Sequence, residues 1–139
     1  IGNADPVALQ VAVSVKDAFH FVGMPEGWIP LSQGVTYLAT APKSNASYKA
    51  YLGALHDVKE KGALEVPFHI RNAPTSLMKD LGYGKGYKYP HDHGGYAGQS
   101  CLPEELHGKE YYKPTDFGFD KEIKKRLAFF KSKRKLDKK

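Results

Sequence analysis

The residues with the clearest chemical potential are His91, Asp92 and His93, which precede the chain's single cysteine, Cys101. Imidazole, carboxylate and thiolate groups are the ligands that zinc prefers in proteins. A catalytic zinc site needs three protein ligands held by a supporting shell, whereas the Gly-Gly pair at residues 94–95 predicts a mobile turn. We therefore expect a solvated or hydrogen-bonded loop here, and no metal site.

A second candidate is the glycine-rich run GYGKG at residues 82–86. A Walker A loop has four residues between its glycines and continues with Gly-Lys-Ser/Thr, and a Rossmann turn joins a strand to a helix. The run satisfies neither pattern. Its glycines instead predict a helix end with positive φ, and Tyr83, Tyr87 and Tyr89 are expected to pack nearby. We expect no nucleotide cofactor in this segment.

Nucleophilic catalysis has no recognisable basis in the chain. No Ser, His and acid stand at the spacing of a known triad motif, and Cys101 has no local signature of a catalytic thiol. The other histidines are scattered, and we interpret them as packing or surface residues: His20, His56, His69 and His107. We therefore expect no catalytic residue and no enzymatic activity in this segment.

Positive charge is concentrated at the C-terminal end. Residues 121–139 hold ten Lys or Arg against two acidic residues, whereas the rest of the chain holds eleven against thirteen. One interpretation is that these cations neutralise phosphates and bind nucleic acid without sequence preference. The other is a solvated helix end, where cations interact favourably with the helix dipole. The candidate DNA contacts are Lys124, Lys125, Arg126, Lys131, Lys133, Arg134 and Lys135.

Local patterns predict five helices and an all-α fold. Caps, prolines and glycines give their ends, and apolar residues recur at helical spacing within them. The helices begin after Asp5, at Pro30, after Ser44 or Asn45, after Asn72 or Thr75, and at Thr115 or Asp116, and they end at Gly23, Pro42, Lys61, Gly82 and about Lys135.

Between these helices the periodicity is lost in two places. Residues 63–71 are predicted to be extended, because Pro67 interrupts a short segment. Residues 83–114 are predicted to form a long irregular loop that wraps the helices, because tyrosine rings bury large areas when they meet a surface. Residues 128–139 are predicted to be a basic tail. No second domain boundary stands out, so we expect a single helical domain.

The first helix has an unusually wide apolar arc. Eleven of the sixteen residues 7–22 are apolar, and one neighbouring helix would not cover so many. Two interpretations stay open: a central core helix, or a helix partly covered by another copy of the chain. The candidate interface residues are Val11, Val15, Phe19, Val22, Tyr48 and Tyr51.

Composition sets the remaining limits. The 139 residues suit one folded domain, since 41% are hydrophobic and 26% charged. No apolar run approaches the roughly 18 residues of a membrane span. A single cysteine cannot form an internal disulfide, which favours the cytoplasm. The chain begins with Ile1 rather than methionine, so we expect it to be a piece of a longer protein.

Several ordered strings point to a known family. They are IGNADP at residues 1–6, LATAPKSN at 38–45, HIRNAPT at 69–75, LMKDLGYG at 77–84 and YYKPT at 111–115. These strings resemble the C-terminal domain of the replication-associated recombination protein A family, also called MgsA, whose eukaryotic relative is the Werner helicase-interacting protein. The resemblance extends to about Leu127.

The resemblance implies a clamp-loader-like AAA+ ATPase that acts at stalled replication forks and assembles as a tetramer through this helical domain. ATP and Mg²⁺ would bind to a core that precedes this segment, and DNA and replication-fork proteins would be partners of the full-length protein. The leading expectation is therefore a non-catalytic oligomerisation domain. The alternative is a nucleic-acid-binding module that uses the basic last helix, an inference from charge alone.

Overall fold

The structure, a computed structural model, describes residues 1–136, with side chains to residue 134. Five α-helices follow one another: α1 (Ala8–Val22), α2 (Trp28–Thr40), α3 (Ala46–Lys61), α4 (Ser76–Asp80) and α5 (Asp120–Leu136). Four 3₁₀ turns lie at Gly2–Ala4, Phe68–Ile70, Pro90–His93 and Glu104–Leu106. Within the described residues there is no β-strand, so the prediction of an all-α fold with five helices is confirmed.

The chain forms two compact units. The first comprises Ile1–Gly53 and Tyr111–Lys125, and the second comprises Ala54–Glu110 and the described residues from Arg126 onwards. Helices α3 and α5 therefore each contribute residues to both units. No helix in the described part of the chain is long and apolar enough to cross a membrane.

In the first unit, α1 and α2 form the only extensively packed helix pair within residues 1–136. A glycine allows their close approach. Gly34 of α2 is buried against Val15 of α1, and a Cβ atom at Gly34 would lie 2.7 Å from Cγ2 of Val15. The two helices therefore pack as a hairpin in which the backbone of α2 at Gly34 contacts the side chain of Val15 of α1.

Asp5 positions the start of α1. Its carboxylate accepts hydrogen bonds from the backbone N–H of Val7 at 3.0 Å and from the hydroxyl of Tyr37 at 2.9 Å. The hydrogen bond to this carboxylate raises the pKa of Tyr37. Helix α1 begins at Ala8, two residues later than predicted, because the two residues before it form a turn beneath the Asp5 carboxylate.

The last helix also begins later than predicted, at Asp120. Thr115 was predicted to cap the helix directly before its first turn. Its hydroxyl instead donates to the carboxylate of Asp120 at 2.8 Å, five residues further on. Gly118 then adopts a φ of +49°, which helical residues do not have. The helix therefore starts only after this left-handed residue.

The second unit contains α4 and most of the irregular chain. The hydroxyl of Thr75 caps α4 by accepting from the N–H of Met78 at 3.3 Å, and Gly82, with a φ of +86°, follows its end, as predicted. The segment predicted as extended contains the 3₁₀ turn Phe68–Ile70.

Residues 83–114 contain only two 3₁₀ turns, which agrees with the predicted long irregular loop. Side chains attach this loop to helices of the same unit. Lys109 forms an ion pair with the buried Asp57 of α3, and the ring of Tyr96 lies 4.9 Å from that of Phe130 of α5, measured between centroids. The residues 137–139 of the predicted basic tail lie outside the described residues.

Candidate assembly surface and two polar networks

The apolar arc of α1 is only partly covered by α2. Val11, Val15 and Phe19 are half-buried, on the side that faces α2, whereas Val22 is exposed. The side chains opposite remain in water. This agrees with the expectation that one neighbouring helix would not cover the arc.

The exposed apolar side chains of the hairpin define what we call the hairpin surface. On α1 they include Phe21, which is 92% exposed, and Leu9 with Val13 one turn apart. On α2, Trp28 and Val35 stand seven residues apart and so share a helical face. The full set of large side chains is Leu9, Val13, Phe21, Val22, Trp28, Ile29 and Val35. The sequence pattern singled out only Val22 of these seven residues, because it could not show which side of α1 faces α2.

A second apolar area lies at the start of α3 in the same unit. Tyr48, Tyr51 and Leu52 are all exposed and are three or four residues apart, so they share one helical face. We call this the α3 face. It includes both tyrosines that the sequence proposed for the interface.

Little apolar surface is buried elsewhere. In the part of the chain that the structure describes, the only buried apolar side chains are four alanines, at positions 4, 8, 41 and 46. Full burial of a Val, Leu, Ile or Phe side chain contributes roughly 1.5 to 3 kcal/mol, and a clustered apolar patch on a surface is typical of a contact site. These exposed faces are therefore the strongest candidates for a functional surface.

The first unit is held together by a buried carboxylate, that of Asp120, which is 0% exposed. It accepts hydrogen bonds from the Ser44 hydroxyl at 2.6 Å and from the Thr115 hydroxyl and N–H at 2.8 and 3.1 Å. The hydroxyl of Tyr112 donates to its other oxygen. Burial opposes ionisation, but these hydrogen bonds outweigh it and lower the pKa of Asp120 from 3.8 to about 2.

The N-terminal segment joins the same network. The amide of Asn3 donates to the hydroxyl of Tyr112 at 3.0 Å, and the N–H of Phe119 donates to the carbonyl of Ala4 at 2.8 Å. A Cβ atom at Gly118 would overlap that carbonyl, so glycine is required there. Burial, followed by the hydrogen bond to Asp120, raises the pKa of Tyr112. The network thus links the chain start, the α2–α3 connection and the approach to α5.

A second polar network in the other unit centres on Arg71. Its guanidinium donates to the Glu65 carboxylate at 2.8 Å and to the Tyr83 hydroxyl at 3.2 Å. It also lies over the Phe68 ring at 4.3 Å from the centroid, and Phe68 meets Tyr83 edge to face at 5.4 Å. The bond to Glu65, followed by that to Tyr83, raises the pKa of Arg71. This cluster ties the segment before α4 to the glycine run after it.

The basic side chains of α5 that the sequence proposed as DNA contacts are mostly on the surface. Lys124, Lys125 and Arg126 are exposed in the first turns, and Lys131 is exposed further along. Three of these form ion pairs: Lys124 with Asp116, Lys125 with Glu122 and Lys131 with Glu110, each at 2.7 Å. Lys133 lies 5.2 Å from the Phe129 ring centroid, Arg134 is half-buried, and the side chain of Lys135 lies outside the described residues.

The residues weighed as metal ligands are placed on the surface of the second unit. His91 and His93 are exposed on the turn Pro90–His93, and Cys101 is exposed and free. Among the described residues no group of three or more His, Cys, Asp or Glu side chains is arranged to hold a metal ion.

Comparison with known proteins shows the family. Residues 1–131 match the family model described as MgsA AAA+ ATPase C terminal. The chain belongs to this family. The resemblance seen in the sequence strings is therefore confirmed.

Relatives from distant organisms match nearly the whole chain. Replication-associated recombination protein A of Coxiella burnetii is 50% identical over 133 residues, which are 94% of this chain and 30% of that protein. The protein of the same name in Escherichia coli K12 is 47% identical over 131 residues, or 93% and 29%. ATPase WRNIP1 of Dictyostelium discoideum is 40% identical over 114 residues, or 81% and 13%. The chain spans less than a third of the length of these relatives.

The strings that carried the resemblance supply both polar networks. Asn3, Ser44 and Thr115 of the Asp120 network lie in three of these strings, and Arg71 with Tyr83 lies in two others. The family signature in this chain therefore marks how the domain is joined together.

Proposed function

We propose that this chain is a non-catalytic oligomerisation domain of a AAA+ ATPase that acts in replication-associated recombination, and that it assembles as a tetramer. The observation that carries the proposal is the exposure of the hairpin surface while the buried apolar core within the described residues consists of alanines. Homo-oligomer interfaces resemble a domain core cut in half, and such a surface matches that description.

The α3 face supports the same proposal. Tyrosine side chains are enriched in subunit contacts because they bury a large area with few torsions to order, and Leu52 adds exposed apolar area beside them. With two apolar faces in one unit, a subunit could contact more than one neighbour. Two kinds of contact per subunit are what a tetramer built as a dimer of dimers requires.

Light scattering of the 139-residue chain at several concentrations tests the proposal. We expect a discrete multiple of 15.4 kDa in the absence of DNA, and four copies for the tetramer. Phe21→Asp combined with Ile29→Asp should weaken association at least about tenfold, because each charge would have to be desolvated in the contact.

Leu77→Asp is the matched control, since Leu77 is an exposed apolar residue on α4 in the other unit. It should leave the mass distribution unchanged. A wild-type chain that stays monomeric at high concentration would contradict the proposal, as would equal loss of association in the control.

ATP and Mg²⁺ belong to the same proposal as ligands of the rest of the full-length protein. The relatives are more than three times as long as this chain, and one is named as an ATPase. In this proposal the present domain fixes the number of subunits, so that nucleotide sites and DNA-handling surfaces elsewhere act together.

Nucleic-acid binding by the basic helix α5 remains the alternative. Phosphates of the nucleic acid would have to displace the carboxylates that already pair with Lys124, Lys125 and Lys131. The affinity would then fall steeply with salt, with a log–log slope of about −0.7 to −0.9 for each phosphate contacted. A slope near zero would contradict this alternative.

A further inference from the structure

The irregular chain of the second unit presents an exposed segment in which aromatic and basic side chains alternate. Residues 85–91 read KGYKYPH, and we call them the Tyr-Lys loop. Tyr87 and Tyr89 are 51% and 53% exposed, and Lys85 and Lys88 are exposed beside them. These two tyrosines were predicted to pack against the protein. Each buries about half of its surface and leaves the other half in water.

The backbone of this loop is held in place by a side chain. The amide of Gln99 accepts a hydrogen bond from the N–H of Lys88 at 2.9 Å and donates to the carbonyl of Gly86 at 2.7 Å. The N–H of Tyr87 also donates to the carbonyl of Gly84 at 3.1 Å. The exposed rings are therefore presented by an anchored backbone, which reduces the entropy lost when they meet a ligand.

The rings also form part of a wider aromatic surface. The imidazole of His91 lies against Tyr89, with 5.0 Å between ring centroids and a 43° angle between the planes. This partner restricts the orientation of the Tyr89 ring. Flat, oriented and exposed rings are the groups on which unpaired nucleobases stack.

The charge of the loop fits the same ligand. Among the described residues neither Lys85 nor Lys88 forms an ion pair, whereas three lysines of α5 do. Asp92 is the only acidic residue between positions 81 and 95. Two ammonium groups that no carboxylate neutralises therefore stand beside two open rings, and they are available to phosphates.

We infer that the Tyr-Lys loop binds single-stranded DNA, with bases stacked on Tyr87 and Tyr89 and phosphates contacting Lys85 and Lys88. Duplex DNA is not expected to bind in this way, because its bases are already stacked and paired. The choice of DNA as the nucleic acid rests on the proposed function. The four residues of this site differ from those of the hairpin surface, the α3 face and the basic set on α5.

Fluorescence anisotropy with a labelled oligothymidylate of about 20 nucleotides at low salt tests this inference. Tyr87→Ala with Tyr89→Ala should weaken binding at least about fivefold for each ring removed, and the corresponding Phe variants should retain it. Lys85→Ala with Lys88→Ala should make the salt slope shallower by about 0.7 per lysine. A duplex of the same length should bind more weakly.

Two control variants separate this site from others. Phe117→Ala removes an exposed ring from the segment before α5, outside both assembly faces, and Lys124→Ala with Lys125→Ala removes two lysines from α5. Neither should change the affinity by more than about twofold on the stacking and charge arguments given. Light scattering of each sample reports assembly independently, so a failure of DNA binding and a failure of oligomerisation are distinguished.

The inference is overturned if the wild-type chain does not bind the oligothymidylate, or if the alanine variants of the loop bind like the wild type. Loss of binding in the α5 variant alone would instead support the basic helix as the DNA contact. If the Phe variants lose as much DNA affinity as the Ala variants, stacking is excluded as the source of that affinity.

Discussion

Asp120 shows how a polar residue can replace a hydrophobic core at the junction of several segments. Its carboxylate is fully buried, yet it accepts hydrogen bonds from three hydroxyls, those of the distant Ser44 and of Tyr112 and Thr115 close by in the sequence. A buried acid without such donors would be neutral and its pKa would rise. Here the donors keep it ionised, so the charge itself connects the segments.

This arrangement predicts a pH-dependent stability. Because the folded-state pKa of Asp120 lies near 2 and the ordinary value is 3.8, its contribution is fully present above about pH 4 and is lost as the pH falls towards 2. The shift corresponds to about 2 kcal/mol. Asp120→Asn should therefore lower the free energy of unfolding by about this amount near pH 7, measured by urea denaturation at fixed protein concentration.

The difference in unfolding free energy between the Asn variant and the wild type should already be smaller at about pH 3. At that pH the carboxylate of the unfolded chain takes up a proton, whereas that of the folded chain does so only near pH 2. Asp116→Asn is the matched control, because Asp116 is exposed and pairs only with an exposed lysine, Lys124. It should change stability by less than about 0.5 kcal/mol. A control that costs as much as Asp120→Asn would mean that burial of the charge is not the cause.

At the scale of elements, the hairpin of α1 and α2 depends on the missing side chain at Gly34. Alanine has the higher helix propensity by about 1 kcal/mol, so propensity alone would favour Gly34→Ala. The methyl group would, however, meet the Val15 side chain at 2.7 Å, and a β-branched residue in a helix has few other rotamers. We expect this steric repulsion to outweigh the gain in helix propensity, so that Gly34→Ala is destabilising by about 1 to 3 kcal/mol.

Thermal unfolding monitored by circular dichroism checks this sign, and a second substitution isolates its cause. Adding Val15→Ala removes the atoms that clash, so Gly34→Ala should be neutral or stabilising in that background. Gly53→Ala in α3 is the control, since its methyl group would meet Tyr111 at an ordinary 3.4 Å. It should be tolerated or stabilising, and a loss equal to that of Gly34→Ala would contradict the clash.

The elements themselves were largely predictable because their signals are local. Thr75 and Gly82 mark the ends of α4 through a hydroxyl and a positive φ that sequence types alone suggest. The start of α5 was not predictable, because Thr115 bonds to Asp120 and Gly118 is fixed by the carbonyl of Ala4, which is far away in sequence. Contacts of that kind leave no periodic trace.

The candidate site was predictable only in part for the same reason. The width of the apolar arc on α1 indicated uncovered surface, and Tyr48 and Tyr51 are indeed exposed. Which side of α1 meets α2 is decided by Gly34, a residue with no side chain to show in a hydrophobic pattern. Exposed residues such as Phe21 and Trp28 could therefore be located only in three dimensions.

At the scale of the whole molecule, folding and assembly should be coupled. The four alanines buried within the described residues supply little hydrophobic free energy, whereas ordering the backbone costs roughly 1 to 2 kcal/mol for each residue. If sister copies cover the hairpin surface, part of the stability of each chain comes from its neighbours. Stability must then depend on protein concentration, because association stabilises the folded state by mass action.

We accordingly expect the midpoint of thermal unfolding to rise by several degrees over about a hundredfold increase in concentration of the wild-type chain. The variant Phe21→Asp with Ile29→Asp should unfold at a lower temperature that does not depend on concentration, because its monomers gain nothing from one another. Leu77→Asp should keep the wild-type slope. Scanning calorimetry at matched concentrations measures all three. A wild-type midpoint that stays constant while light scattering shows an oligomer would contradict the coupling, because an oligomer that dissociates on unfolding gains stability with protein concentration.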